Sequence, residues 1–217
     1  MKLHRLAPAA CIAALFALPS AAAPTITVTE TYDGPVEEAS WRVASFDTIL
    51  EFGGWPDAYL RVAGLDTFGP RIFAVPERAS KFLGDYRAKG VSGLGVDVNL
   101  FGIDFGAEGR PVSLYLTNRM DPEDPFDDCD VVYVGAKNVP KPGTGWKSFD
   151  FRVPSESTTL PPGWVTVGEC GGLSPDEAWN AVITDVEDAS FYFGEPDYFY
   201  IFQVWNLGFD NPRIRMN

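Results

Sequence analysis

Residues 198–215, YFYIFQVWNLGFDNPRIR, constrain this chain more than any other stretch. From Tyr198 to Trp205 almost every position is aromatic or β-branched, which suits a pleated, packed surface. Tyr198, Tyr200, Phe202 and Val204 fall on one side of a strand, and Phe199, Ile201, Gln203 and Trp205 on the other. A strand that is apolar on both sides is expected to be covered on both. Asn206, Leu207 and Gly208 then read as a turn, and residues 209–215 as a returning strand. A sheet ending in such a pair is a core sheet, so the expected class is all-β.

The rest of the chain agrees. Period-two alternation or short β-rich runs predict strands over 25–31, 41–46, 58–62, 71–75, 91–101, 111–117, 131–134, 145–153, 164–167 and 186–193. Residues 76–82 are expected to make one or two helical turns. Ser174, Pro175 and Glu177 form a helix start, with a capping serine, a proline in the first turn and a glutamate that can reach back. That helix is predicted over 175–184. No repeat, linker or low-complexity tract interrupts the series, which points to a single jelly-roll β-sandwich with one or two short helices.

The N-terminus reads differently. Lys2, His4 and Arg5 precede an apolar run from Leu6 to Leu18 and a small-residue exit at Ser20–Ala23. This is the pattern of a secretory signal, with the cut placed after Ala22. The sandwich domain is then 23–217, and the protein is expected outside the cytoplasm: periplasm, cell surface or beyond. No second apolar run is long enough to span a bilayer. The formal net charge is −13, and the signal holds two of the cations and no anion. So acidic a surface argues against nucleic acid as a partner, since that binding needs cations. The one histidine, His4, lies in the signal. The exported chain therefore lacks the base of Ser-His-Asp and Cys-His catalysis and every His-ligated metal site. Cys11 leaves with the signal. Cys129 and Cys170 remain, and two cysteines in an oxidising compartment read as a disulfide.

Four stretches in order carry a resemblance. They are residues 53–61, GGWPDAYLR; residues 82–86, FLGDY, ahead of a long strand; residues 145–149, GWKSF; and residues 207–211, LGFDN. Together they resemble laminin domain IV-like, galactose-binding-like jelly-roll sandwiches of exported bacterial proteins. The resemblance implies a secreted or surface setting, association with a glycan or a matrix component, and usually no catalysis. It also implies that Asp210 helps hold a structural Ca²⁺ with acidic residues nearer the N-terminus, of which Asp47 is the chosen partner and Glu37 and Glu38 are others. The alternative for Asp210 and Asn211 is that they bond a turn backbone.

Sugar rings stack on aromatic side chains while Asp, Asn and Arg bond the hydroxyls. All six tryptophans lie beyond the signal. Trp55, Tyr59 and Arg61, in or beside a Gly/Pro loop, and Trp205, on a sheet face, are the candidate glycan-binding residues. The competing reading is that these aromatics fill the core. Residues 121–130, DPEDPFDDCD, hold six carboxylates, a density that suits Ca²⁺ but equally a solvated charge run. Asp185, Glu187, Asp188, Glu195 and Asp197 could supply a hydrolytic carboxylate pair, but no closely spaced glycosidase motif accompanies them. The expectation is a non-catalytic glycan- or surface-binding module. A protein-interaction module and a polysaccharide-degrading enzyme are the alternatives.

Overall fold

The computed structural model describes residues 24–107, 109–120 and 128–217. The expected signal, with His4 and Cys11, lies outside the described residues, as do Asp121, Glu123, Asp124 and Asp127 of the acidic loop.

Among the described residues twelve strands follow in order: β1 Ile26–Thr29, β2 Trp41–Arg42, β3 Thr48–Leu50, β4 Tyr59–Thr67, β5 Arg71–Ala74, β6 Val91–Ile103, β7 Pro111–Arg119, β8 Asp128–Asn138, β9 Lys147–Arg152, β10 Trp164–Val167, β11 Asp188–Phe193 and β12 Gln203–Met216. They form two six-stranded antiparallel sheets. The first has the order β3-β4-β12-β6-β9, with β1 paired to the far end of β12. The second has the order β10-β8-β7-β11-β5-β2. Period-two burial turns one side of each sheet inward. In the first sheet Leu60, Val62, Val96, Val98, Leu207 and Phe209 are fully buried; in the second, Ile72, Leu114, Leu116 and Phe191 are. Phe193 of β11 meets Trp205 and Phe209 of β12 with ring centres 5.8 and 5.7 Å apart, which places the two sheets face to face around one core. This is the sandwich that both the strand pattern and the resemblance implied.

The one α-helix among the described residues, α1 at Pro175–Thr184, matches its expected bounds. The Ser174 hydroxyl accepts from the Glu177 amide and the Glu177 carboxylate accepts from the Ser174 amide, a reciprocal cap. Its apolar stripe, Ala178, Trp179, Val182 and Ile183, is buried, and Trp179 packs on Trp164 at 5.1 Å. Residues 76–82 make no continuous helix but two single helical turns, with Ala79 N–H donating to Val75 O and Leu83 N–H to Ala79 O, which is the one or two turns expected. Cys129 and Cys170 are disulfide-bonded, as expected.

The end of the chain departs from its expectation. There is no hairpin at 206–208: β12 is one strand of 14 residues. Asn206 stays in the ladder opposite Ala63 of β4 and Gly102 of β6, and the register shift between Trp205 and Asn206 is taken up by one extra residue, Gly64, bulged out of β4. Gly208 marks a close approach instead of a turn, for a Cβ there would lie 2.8 to 3.0 Å from the rings of Trp146, Phe101 and Tyr59. Residues 198–202 are not a strand at all. β4 ends at Thr67, opposite Gln203, and β6 ends at Ile103, opposite Trp205, so nothing remains for them to pair with. Tyr198, Phe199, Ile201 and Phe202 consequently stand more than half exposed beside Phe68.

Candidate functional site

The outward side of the first sheet brings together residues that the sequence holds far apart. Gly208 lies opposite Arg61 on β4 and Asn99 on β6. Because Gly208 has no side chain, three rings close over it. Tyr59 meets Trp146 edge-on at 5.2 Å and Phe101 at 5.9 Å. The Arg61 guanidinium sits 4.5 Å over the Phe101 ring, and its Nη1 donates to the Leu207 carbonyl at 2.9 Å. Tyr59 is nearly buried by its neighbours, and that burial lifts its hydroxyl pKa, with Arg61 opposing.

A loop holding Trp55 is pinned against this platform. Trp146 Nε1 donates to the Gly53 carbonyl at 2.9 Å. The Trp55 amide donates to Asp210 Oδ2, and Asn211 Nδ2 donates to the Trp55 carbonyl and to Asp97 Oδ2. Gly54 fits because a Cβ would lie 2.7 Å from that same Asp210 oxygen. With its backbone held, Trp55 leaves its indole half exposed, at 51%. Trp55 and Trp146 border one groove of about 710 Å³.

Of the four predicted glycan-binding residues, Trp55, Tyr59 and Arg61 thus share this face. Trp205 does not. It points inward, is fully buried, and donates Nε1–H to the Thr67 carbonyl at 3.2 Å, so it offers no ring to a sugar. Its parity along β12 decides this: Trp205, Leu207 and Phe209 share the core side. Sequence reading left Trp146 as a core residue and passed over Phe101. The signal that could have found them is Gly208, whose missing side chain makes room for both.

Asp47 and Asp210 do not fit a shared calcium site. Asp47 accepts from the amides of Val43 and Ala44 and pairs with Arg42 at 3.1 Å. Asp210 accepts from the amides of Trp55 and Asn211. Among the described residues no three acidic, Cys or His side chains gather to hold an ion.

Asp210 has a titration of its own. Burial pushes its pKa up to about 6, helped by Asp97 and Asp57 and opposed by the two amides. A carboxyl whose pKa is higher in the fold than in the unfolded chain favours folding while protonated. That contribution is lost as pH rises from about 4 through 6. A lift of about two units corresponds to about 3 kcal/mol at most. Denaturant midpoints at pH 4.5 and 7.5 are expected to show the wild type losing stability that Asp210→Asn does not lose. Equal losses in both proteins would assign the pH dependence to other groups.

The outward side of the second sheet carries a polar array that sequence reading did not assemble. Thr117 lies between Asp130 on β8 and Asp188 on β11, and donates its hydroxyl to Asp130. Arg71 Nε donates to Ser190 Oγ at 2.6 Å and its guanidinium stacks 5.0 Å from the Tyr115 ring, which meets Tyr192 edge-on. Burial raises the pKa of Asp130 and Asp188, and Arg71 opposes it in both. Of the acids considered for a hydrolytic pair, Asp188 is the one set in this array.

No protein-family description matches the chain, and no curated protein matches it. Among solved structures it is similar to an exo-beta-agarase, at 14% identity and a TM-score of 0.44, over 88% of this chain and 25% of that one. The chain thus spans only a quarter of the agarase. It is similar to a carbohydrate-binding module specific for non-crystalline cellulose, at 12% identity and a TM-score of 0.37, over 85% of this chain and 91% of that one. A third likeness is to the L4b domain of human laminin alpha-2, at 11% identity and a TM-score of 0.35, over 73% and 85%. At such identities and TM-scores they add nothing to the sandwich already described.

Proposed function

We propose that this is an exported, non-catalytic β-sandwich that binds a glycan on the outward side of its first sheet. Trp55 and Trp146 are the stacking surfaces. Tyr59 and Phe101 hold Trp146 in place, and Arg61 stacks on Phe101 beside them. The observation that carries the reading is the groove bordered by two tryptophans from separate parts of the chain: half-exposed Trp55, whose backbone is bonded to Asp210 and Asn211, and Trp146, whose indole is bonded to the loop that holds Trp55. Rigid, preorganised aromatics lose little entropy on binding. Calcium has no part in this reading, since Asp47 and Asp210 are committed to other donors. Export is supported by the signal pattern and the disulfide. No helix among the described residues is long and apolar enough to cross a membrane.

Affinity electrophoresis against a panel of soluble polysaccharides tests the proposal. A defined retardation is expected, and Trp146→Ala should weaken it by about 30-fold, the loss of a hot-spot aromatic worth about 2 kcal/mol. A panel without any retardation would transfer the weight to a second reading, a protein-interaction module. That alternative is favoured by residues 198–202, where Phe199 is 80% exposed, a patch of the kind found at interfaces.

A further inference from the structure

The wall of the Trp55–Trp146 groove is cationic in a chain that is strongly acidic. Five lysines and ten arginines follow the expected signal, against 30 acidic residues in the whole sequence. Three of the five lysines, Lys137, Lys141 and Lys147, line this one groove, and no carboxylate is among the described residues lining it. They come from the end of β8, the connection after it and the first residue of β9. Lys137 is held over β9 by donating Nζ–H to the Ser148 carbonyl at 3.0 Å. Further along the same face the charges are of both signs and matched. Arg213 pairs with Asp97 and Asp150, each at 3.0 Å, and Arg215 pairs with Asp150 at 3.1 Å. The cationic excess is therefore local to the groove with the tryptophans.

We infer that the groove takes an acidic glycan, one whose sugar rings stack on Trp55 and Trp146 while its carboxylate or sulfate groups meet the lysines. The inference rests on the glycan reading above and narrows its ligand class. A neutral polysaccharide would use the rings alone. Lysine suits a polymer whose anions differ in geometry, because the ammonium is a point charge with three rotatable donors and not a fixed fork. The acidic remainder of the protein does not prevent this. At physiological salt the Debye length is about 8 Å, so charges farther away are largely screened while the groove lysines act at contact.

The test compares polymers that share a backbone and differ in charge. Polygalacturonate is set against its methyl ester, and a sulfated galactan against its desulfated form, by affinity electrophoresis and calorimetry on the exported chain. Two to three exposed ammonium–anion contacts predict about tenfold tighter binding to the charged member of a pair. The pair that shows the preference identifies carboxylate or sulfate as the anion. Lys137→Gln/Lys147→Gln, with its melting temperature checked, should bring that ratio close to one, and rising salt should do the same. Equal affinity for charged and uncharged members in both pairs would overturn the acidic-glycan inference and leave the glycan reading standing. An unchanged preference in the folded double variant would overturn the placement of the anion on these lysines. No binding to any of the four polymers, or to the wider panel, would sink both.

Discussion

Trp205→Ala is expected to cost about 3 to 5 kcal/mol of stability, the range for removing a buried large aromatic from a packed core. The ring is fully buried, meets Phe193 of the opposite sheet edge-on at 5.8 Å, and lies under the Arg110 guanidinium at 5.3 Å. Its Nε1–H is also the partner of the Thr67 carbonyl. Replacement by alanine would open a cavity between the sheets and remove that hydrogen bond. Urea unfolding of the variant checks the first effect, and glycan affinity measured where both proteins remain folded checks the second. A large drop in stability with affinity held within about twofold is the expected result, because the groove lies on the other side of the sheet. Full stability with lost affinity would mean that this ring faces the ligand, and that the parity of β12 is reversed. Trp55→Ala makes the matched comparison. A half-exposed residue away from the core should change stability by less than about 1 kcal/mol, while its loss should weaken binding.

Removing the disulfide is expected to be nearly as costly. Cys129 and Cys170 close a loop with a sequence separation of 41. In the chain-entropy account, a loop of that length raises the stability of the fold by about 4 kcal/mol, by restricting the unfolded chain. Both cysteines are buried, one at the start of β8 and the other in the short turn at Cys170–Gly172 that leads to α1. The bond therefore ties the turn before the helix to the second sheet. Cys129→Ala/Cys170→Ala should lower the melting temperature by about 10 °C, at about 2–4 °C per kcal/mol for a chain of this size. Scanning calorimetry with and without reductant measures it. The reduced wild type and the double variant should melt together, and an unchanged melting temperature would show that the bond constrains little. Glycan binding at low temperature should survive in both, since the bond lies at the start of β8 and the groove at the other end of that strand.

These expectations differ in how far they could be read from residues alone. The strand at Val91–Ile103 was visible because Leu94, Val96, Val98 and Leu100 alternate over a long stretch. The helix at Pro175–Thr184 was visible because its cap is local chemistry, complete within Ser174 to Glu177. The disulfide followed from an even number of cysteines in a chain expected to be exported. Residues 198–202 misled for a physical reason. Their composition fits a covered strand, but pairing depends on where β4 and β6 end, and both stop short of them. Asn206 and Gly208 misled in the same way. Both residue types favour turns, and the two neighbouring strands override that preference by supplying a ladder on either side.

The candidate site divides along the same line. Trp55, Tyr59 and Arg61 were legible because they crowd into nine residues with two glycines and a proline. Trp146 and Phe101 were not, since nothing in the chain says that β6 pairs with the strand that holds Gly208 or that β9 lies beyond β6. Nor could the lysine cluster be read as one, because it becomes a groove wall only when the β8–β9 connection folds against the Trp55 loop. What the sequence determined by itself was the class of fold, the helix and the disulfide. These rest on periodicity, local hydrogen bonding and composition. Which side of each strand meets the core, and which distant residues share the outward face, was decided by register. A one-residue shift exchanges the two sides of a strand, and register is set between strands, where single-chain pattern has no reach.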